Sequence, residues 1–187
     1  MLTAAIMFLL LVVAVWTDLD RHKIYNGNTY TGIALALLIA TVNSYWGGGE
    51  QMQRLLGSIQ LSDAAVGFFI CGSIMIVCYV FFSIGGGDVK LIAMLAAFFG
   101  LQKGIEAMLW TFIIGGALGL VTILWTVDFR TLVRRFFQRV RSIILLQTIE
   151  REEGEEAVGA KPLYLAPSAL VAAVIVQFNL LDRLGWI

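Results

Sequence analysis

Residues 64–90 read AAVGFFICGSIMIVCYVFFSIGGGDVK, and this stretch decides the fold. Ala64–Gly87 carries no charge. As a helix it would reach about 36 Å at 1.5 Å per residue, enough to cross a hydrocarbon core of about 30 Å. It lacks the strict apolar–polar alternation of a membrane β-strand. Its ending is the unusual part. Three glycines, an aspartate and then Lys90 close an otherwise apolar run. Glycine is a poor helix former, and a carboxylate at membrane depth is costly. Such an ending needs a reason.

The rest of the chain repeats the apolar pattern. Other charge-free segments are Met1–Thr17, Ile24–Gly49, Leu91–Gln102, Ala107–Val127 and Pro162–Leu181. Of the 187 residues, 59% are hydrophobic and only 14% charged, and the mean hydropathy is +0.87. A soluble domain is nearer half apolar and a quarter charged. Helices satisfy their own backbone in lipid. The expected fold is therefore an all-α integral membrane protein with six transmembrane helices, built as a single domain over residues 1–187. No basic n-region precedes the first apolar run and no small-residue cleavage site follows it, so it reads as a retained span rather than a signal peptide. Net charge is zero, which gives no ground for a nucleic-acid partner. Cys71 and Cys78 lie in an apolar run without a C-x-x-C pair, so they read as small buried thiols.

Lys and Arg favour cytoplasmic loops. Ten of the thirteen fall in the loops near residues 18–28, 85–90 and 128–161, and the other three are Arg54, Lys103 and Arg183. This predicts a multi-pass protein of a prokaryotic cytoplasmic membrane with both termini outside. Within the last cytoplasmic loop, 128–147 reads DFRTLVRRFFQRVRSIILLQ. Its apolar residues share one helix face and its arginines mostly the other, as in an interfacial amphipathic helix lying on anionic lipids. An acidic segment, EREEGEE, follows at 150–156.

Two predicted spans are short. Residues 2–17 give about 24 Å and 89–101 about 20 Å. Asp18 and Asp88 are thereby expected at one depth, near the cytoplasmic boundary. Either could be ordinary: Asp18 in a polar loop that stops a helix, Asp88 a helix cap. Together they suggest chemistry. Two close carboxylates do not both ionise easily, so one keeps a proton while the other stays charged. The charged one takes a proton from water and the protonated one donates to a peptide carbonyl. Water then attacks without a covalent enzyme intermediate. His22 is the only histidine, so no multi-histidine metal site is expected, and no cofactor either. Asp20, two residues on, competes with Asp18 as the partner. Gly85, Gly86 and Gly87 are expected to free the backbone for positive φ and admit an extended substrate. Lys90 is read as supporting Asp88, binding substrate backbone, or anchoring the inside face.

The two segments TDLDRHKIYNGN (17–28) and IGGGDVKL (84–91) together resemble the type IV prepilin peptidases, membrane proteases with a G-x-G-D motif. Asp18, Ile24 and Asn26 match a D-x5-I-P-N segment, with Tyr25 in place of the usual proline. Gly85-Gly86-Gly87-Asp88 match G-x-G-D. KPLYLAP, residues 161–167, resembles the lysine- and proline-containing approach to the last helix. The resemblance implies catalytic Asp18 and Asp88, supporting roles for Asn26, the glycines and Lys90, and a prepilin substrate whose short basic leader is cut on the cytoplasmic side. It also implies the short, peptidase-only form found with Tad/Flp-type pili, without the N-terminal methylating domain. A presenilin-like protease cutting within the membrane, and a small proton or cation transporter using the same aspartates, remain the alternatives.

Overall fold

The computed structural model describes residues 2–21, 23–46, 59–82, 84–126 and 165–180. Five helices account for nearly all of them: α1 Leu2–Arg21, α2 Asn26–Trp46, α3 Leu61–Phe82, α4 Gly86–Thr126 and α5 Leu165–Gln177. No strand occurs among the described residues. Two compact units are formed, Met1–Ile114 with Tyr164–Ile187, and Gly115–Leu163. In the second unit the described residues are the last turns of α4, which expose Leu118, Leu120, Val121 and Trp125.

Three helices are long and apolar enough to cross a membrane: Leu2–Arg21, Leu61–Phe81 and Gly86–Thr122. The sequence led to six, and the physical reasons for the difference are local. Helix α2 has the length but carries Asn26, Asn28, Asn43 and Ser44 near its ends, which dilute its apolar character. Helix α5 is apolar but has only 13 residues. The segment Leu91–Gln102 and residues 107–126 lie in one helical run, α4, broken in the middle. The expected amphipathic helix of 128–147, the acidic 150–156, residues 161–164 and His22 lie outside the described residues.

The break in α4 is at Gly100, with φ 78° and ψ −175°. L-residues rarely take positive φ. A Cβ at Gly100 would also collide with the Asp63 carboxylate. Asp63 in turn accepts the N–H of Leu101 at 3.2 Å, so it caps the second arm of α4 as a side-chain oxygen caps any helix start.

The first arm is the centre of the bundle. Every residue from Leu91 to Phe99 is buried. A helix apolar on all faces belongs inside, and this one is covered by protein rather than lipid. Its short length is therefore no mismatch with the bilayer. Around it, α1 lies against α2 and α5, and α2 against α3.

Hydrogen bonds define two ends of this unit. At one end, Asn43 Nδ2 donates to the Ile59 carbonyl (3.0 Å), Leu61 N–H to Ser44 Oγ (2.8 Å), Leu101 N–H to Asp63, and Lys103 Nζ to Asn179 Oδ1 (3.4 Å). At the other, the end of α1 meets the starts of α2, α4 and α5. Arg21, Lys23 and Lys90 belong to that second end, which holds the candidate site.

Candidate active site

Asp18 sits in the last turn of α1 and is 9% exposed. Its Oδ2 accepts the N–H of Ala166 at 3.3 Å. Ala166 is the second residue of α5, where the first N–H groups of a helix have no partner within it. The Asp18 carboxylate thus fills the start of the last helix. A charge-assisted bond of this kind is among the stronger ones, and it fixes where the carboxylate points.

Asp88 is the third residue of α4. Its carboxylate turns back towards Gly85, where an added Cβ would lie 2.9 Å from Asp88 Oδ2. The Asp88 N–H donates to the Gly85 carbonyl at 3.0 Å. The carboxylate lies close enough to Asp18 for the two charges to interact.

Asp20 goes elsewhere. Its side chain is 63% exposed and pairs with Arg21 Nε at 3.4 Å. Arg21 Nη1 also donates to the Tyr25 hydroxyl at 2.6 Å. The backbone at this position is that of a helix start, since the Tyr25 carbonyl accepts the N–H groups of Asn28 and Thr29. Tyr25 therefore occupies the place of the resembled family's proline with its hydroxyl tied to the end of α1. Of the two candidate partners for Asp88, the structure brings Asp18 to it and leaves Asp20 on the surface.

The glycine run differs from its expected shape. None of Gly85, Gly86 and Gly87 has a positive φ, and Gly86 and Gly87 already belong to α4. The backbone there is not unwound. Gly87 serves close approach: a Cβ on it would lie 3.1 Å from the Ile24 Cβ, tighter than packed carbons sit comfortably. The missing side chain lets the start of α4 press against the segment joining α1 and α2.

Asn26 and Lys90, expected as supporting residues, meet. Lys90 Nζ donates to Asn26 Oδ1 at 2.7 Å, and its ammonium stands over the Tyr30 ring, 5.0 Å from the centroid, within cation–π range. Three participants were missed from sequence: the Ala166 N–H, Tyr30, and Asn28, whose Nδ2 donates to the Leu10 carbonyl at 2.9 Å. A backbone amide leaves no mark in residue identity. Pro167, favourable in a first helical turn, was the available signal for the start of α5. Among the described residues no three His, Cys, Asp or Glu side chains gather as a metal site would require.

A family model described as the type IV leader peptidase family matches residues 5–120, more than half of the chain. The chain belongs to the type IV leader peptidase family. No curated protein and no solved structure matches it. The matched stretch of this leader peptidase takes in Asp18 and Asp88 and most of the four helices that carry or flank them. It stops before α5. The contact between Ala166 and Asp18 therefore comes from the structure alone, and it adds the last helix to the site of the peptidase.

Proposed function

We propose that this leader peptidase is a membrane aspartic endopeptidase in which Asp18 and Asp88 activate water. One observation carries the reading: two carboxylates from helices seventy residues apart in sequence are brought within electrostatic reach of each other at one end of the bundle. Like charges are not packed together without a use or a compensating proton. The arrangement supports a shared-proton pair. The ionised carboxylate removes a proton from water, and the hydroxide equivalent attacks the peptide carbonyl. The protonated carboxyl gives its proton to the carbonyl oxygen. Collapse of the tetrahedral intermediate breaks the C–N bond, and the amine leaves with a proton returned by the first carboxyl.

The substrate is a type IV prepilin of the Tad/Flp kind, cut between its short basic leader and its hydrophobic helix. The chain crosses the cytoplasmic membrane six times, α4 contributing two crossings. Both termini lie outside and the Asp18–Asp88 end faces the cytoplasm. The family supports cleavage of a leader; Arg21, Lys23 and Lys90 at the aspartate end support the orientation.

The experiment is processing of a prepilin by membranes carrying Asp18→Asn or Asp88→Asn. Loss of leader removal in both is expected, and normal processing by either overturns the reading. Mass spectrometry of the product locates the cut. A bond broken inside the apolar helix would replace the prepilin substrate with an intramembrane one.

A further inference from the structure

The first turn of α2 touches both helices that carry the aspartates. Asn28 Nδ2 donates to the Leu10 carbonyl of α1 at 2.9 Å, about 12 Å up the helix from Asp18 at 1.5 Å per residue. Asn26 Oδ1 accepts from Lys90 Nζ of α4 at 2.7 Å, two residues beyond Asp88. Tyr30, one turn after Asn26 and on the same helix face, lies under the Lys90 ammonium. Within the turn, Thr29 Oγ1 donates to the Asn26 carbonyl at 3.1 Å, and Thr29 is fully buried. The turn is thus anchored in its own helix, on α1 and on α4.

Such an anchor has a physical task. Two carboxylates that share a proton repel each other in the doubly ionised state. That repulsion works against a fixed working distance. Asp18 is oriented by the Ala166 N–H of α5, but that bond does not tie α1 to α4. The Asn28–Leu10 and Asn26–Lys90 bonds do. Lys90, the residue otherwise available to meet substrate, has its ammonium committed to Asn26 and the Tyr30 ring.

We propose that Asn26, Asn28 and Tyr30 form a bracket that sets the separation of the Asp18 and Asp88 carboxylates, and that Lys90 is a positioning residue acting through it. The inference rests on the two-aspartate reading and deepens it. A displacement of about 1 Å at a reacting centre costs on the order of 10²-fold in rate. Asn26→Ala, Asn28→Ala and Lys90→Met should each lower kcat on that scale with KM little changed. Asn26→Asp and Lys90→Arg keep a donor–acceptor pair and should restore most of the rate. Lys90→Met combined with Asn26→Ala should be no worse than the worse single variant, because both remove one contact. The pH–rate profile gives a reading that a general loss of stability would not. Close carboxylates titrate in two separated steps, so letting them drift apart narrows the bell in which one is protonated and the other ionised.

The measurement uses the full chain in proteoliposomes with a prepilin bearing a basic leader, run beside Asp18→Asn and Asp88→Asn. A raised KM at unchanged kcat in Lys90→Met makes it a substrate-binding residue and overturns the bracket. So do wild-type kinetics and pH width in Asn26→Ala and Asn28→Ala, or additive losses in the double variant. Should Lys90→Met fail to accumulate, Asn28→Ser decides, since it lies away from Lys90: a wild-type kcat and pH profile there also overturns the proposal. If the aspartate variants are inactive while the bracket variants are normal, only the bracket falls. If the aspartate variants process normally, the two-aspartate reading falls with it.

Discussion

Asp63 and Asp88 make an instructive pair. Each is the third residue of its helix, α3 and α4, and they stand at opposite ends of the same unit. Asp63 looks across at a backbone N–H, that of Leu101, and caps the second arm of α4. Asp88 lies in the first turn of its own helix, within electrostatic reach of another carboxylate, that of Asp18. The residue type and helix position are the same, so the difference lies in what the opposing helix presents. A carboxylate facing an amide is satisfied and structural. A carboxylate beside a carboxylate is held against its own electrostatics, and on that the proposed catalysis rests.

The comparison is broken most severely at the aspartate pair. Asp88→Asn and Asp18→Asn should each lower leader cleavage by roughly 10³-fold, within the range for loss of a general acid or base. Thermal unfolding in detergent should stay near wild type or improve, because the amide oxygen at position 18 can still accept from Ala166 and either change removes a like-charge interaction. A loss of stability comparable with that of a core variant would make Asp88 structural, like Asp63.

At the other end the largest effect is expected at Gly100. Gly100→Ala must place a Cβ at φ 78° and ψ −175°, which costs on the order of 1–3 kcal/mol by conformation alone, and that Cβ runs into Asp63. The melting temperature should fall clearly. Activity per folded molecule should fall less than in the aspartate variants, since the site lies at the far end. Equal loss of activity and stability would mean that the break in α4 helps set the position of Asp88.

The sequence showed much of this, unevenly. Apolar runs identify helices because lipid and core both demand satisfied backbone, so α1, α3 and both arms of α4 were legible. Span length and charge led only to a common depth for Asp18 and Asp88; the preference for Asp18 over Asp20 came from its spacing to Ile24 and Asn26. What was not legible depended on direction and close approach. The glycines after Ile84 suggested a flexible gap, yet Gly86 and Gly87 are helical, and Gly87 matters because Ile24 presses on it. The glycine that does take positive φ, Gly100, lies inside what reads as the uniformly apolar stretch Leu91–Gln102. The partner of Asp63, an amide on another helix, is invisible in residue identity. The partners of Asn28 and Tyr30, a carbonyl of α1 and the Lys90 ammonium, are hidden in the same way.

The smallest effects test whether the structural carboxylates are only that. Asp63→Ala removes the cap on Leu101 and should cost about 1 kcal/mol, read as a modest fall in melting temperature. The rate of leader cleavage per folded molecule should be retained, in contrast with Asp88→Ala. Asp20→Asn should do less still. Its carboxylate is exposed and paired with Arg21 on the surface, where ion pairs contribute little, and Arg21 keeps its bond to Tyr25. Both stability and cleavage should match wild type. A severe loss of cleavage in Asp20→Asn, with Asp18→Asn still active, would exchange the two residues as partners of Asp88. The matched spacing of Asp18 to Ile24 and Asn26 would then be coincidence, and the Ala166 bond to Asp18 would be no more than the cap of α5, the counterpart of what Asp63 does for Leu101.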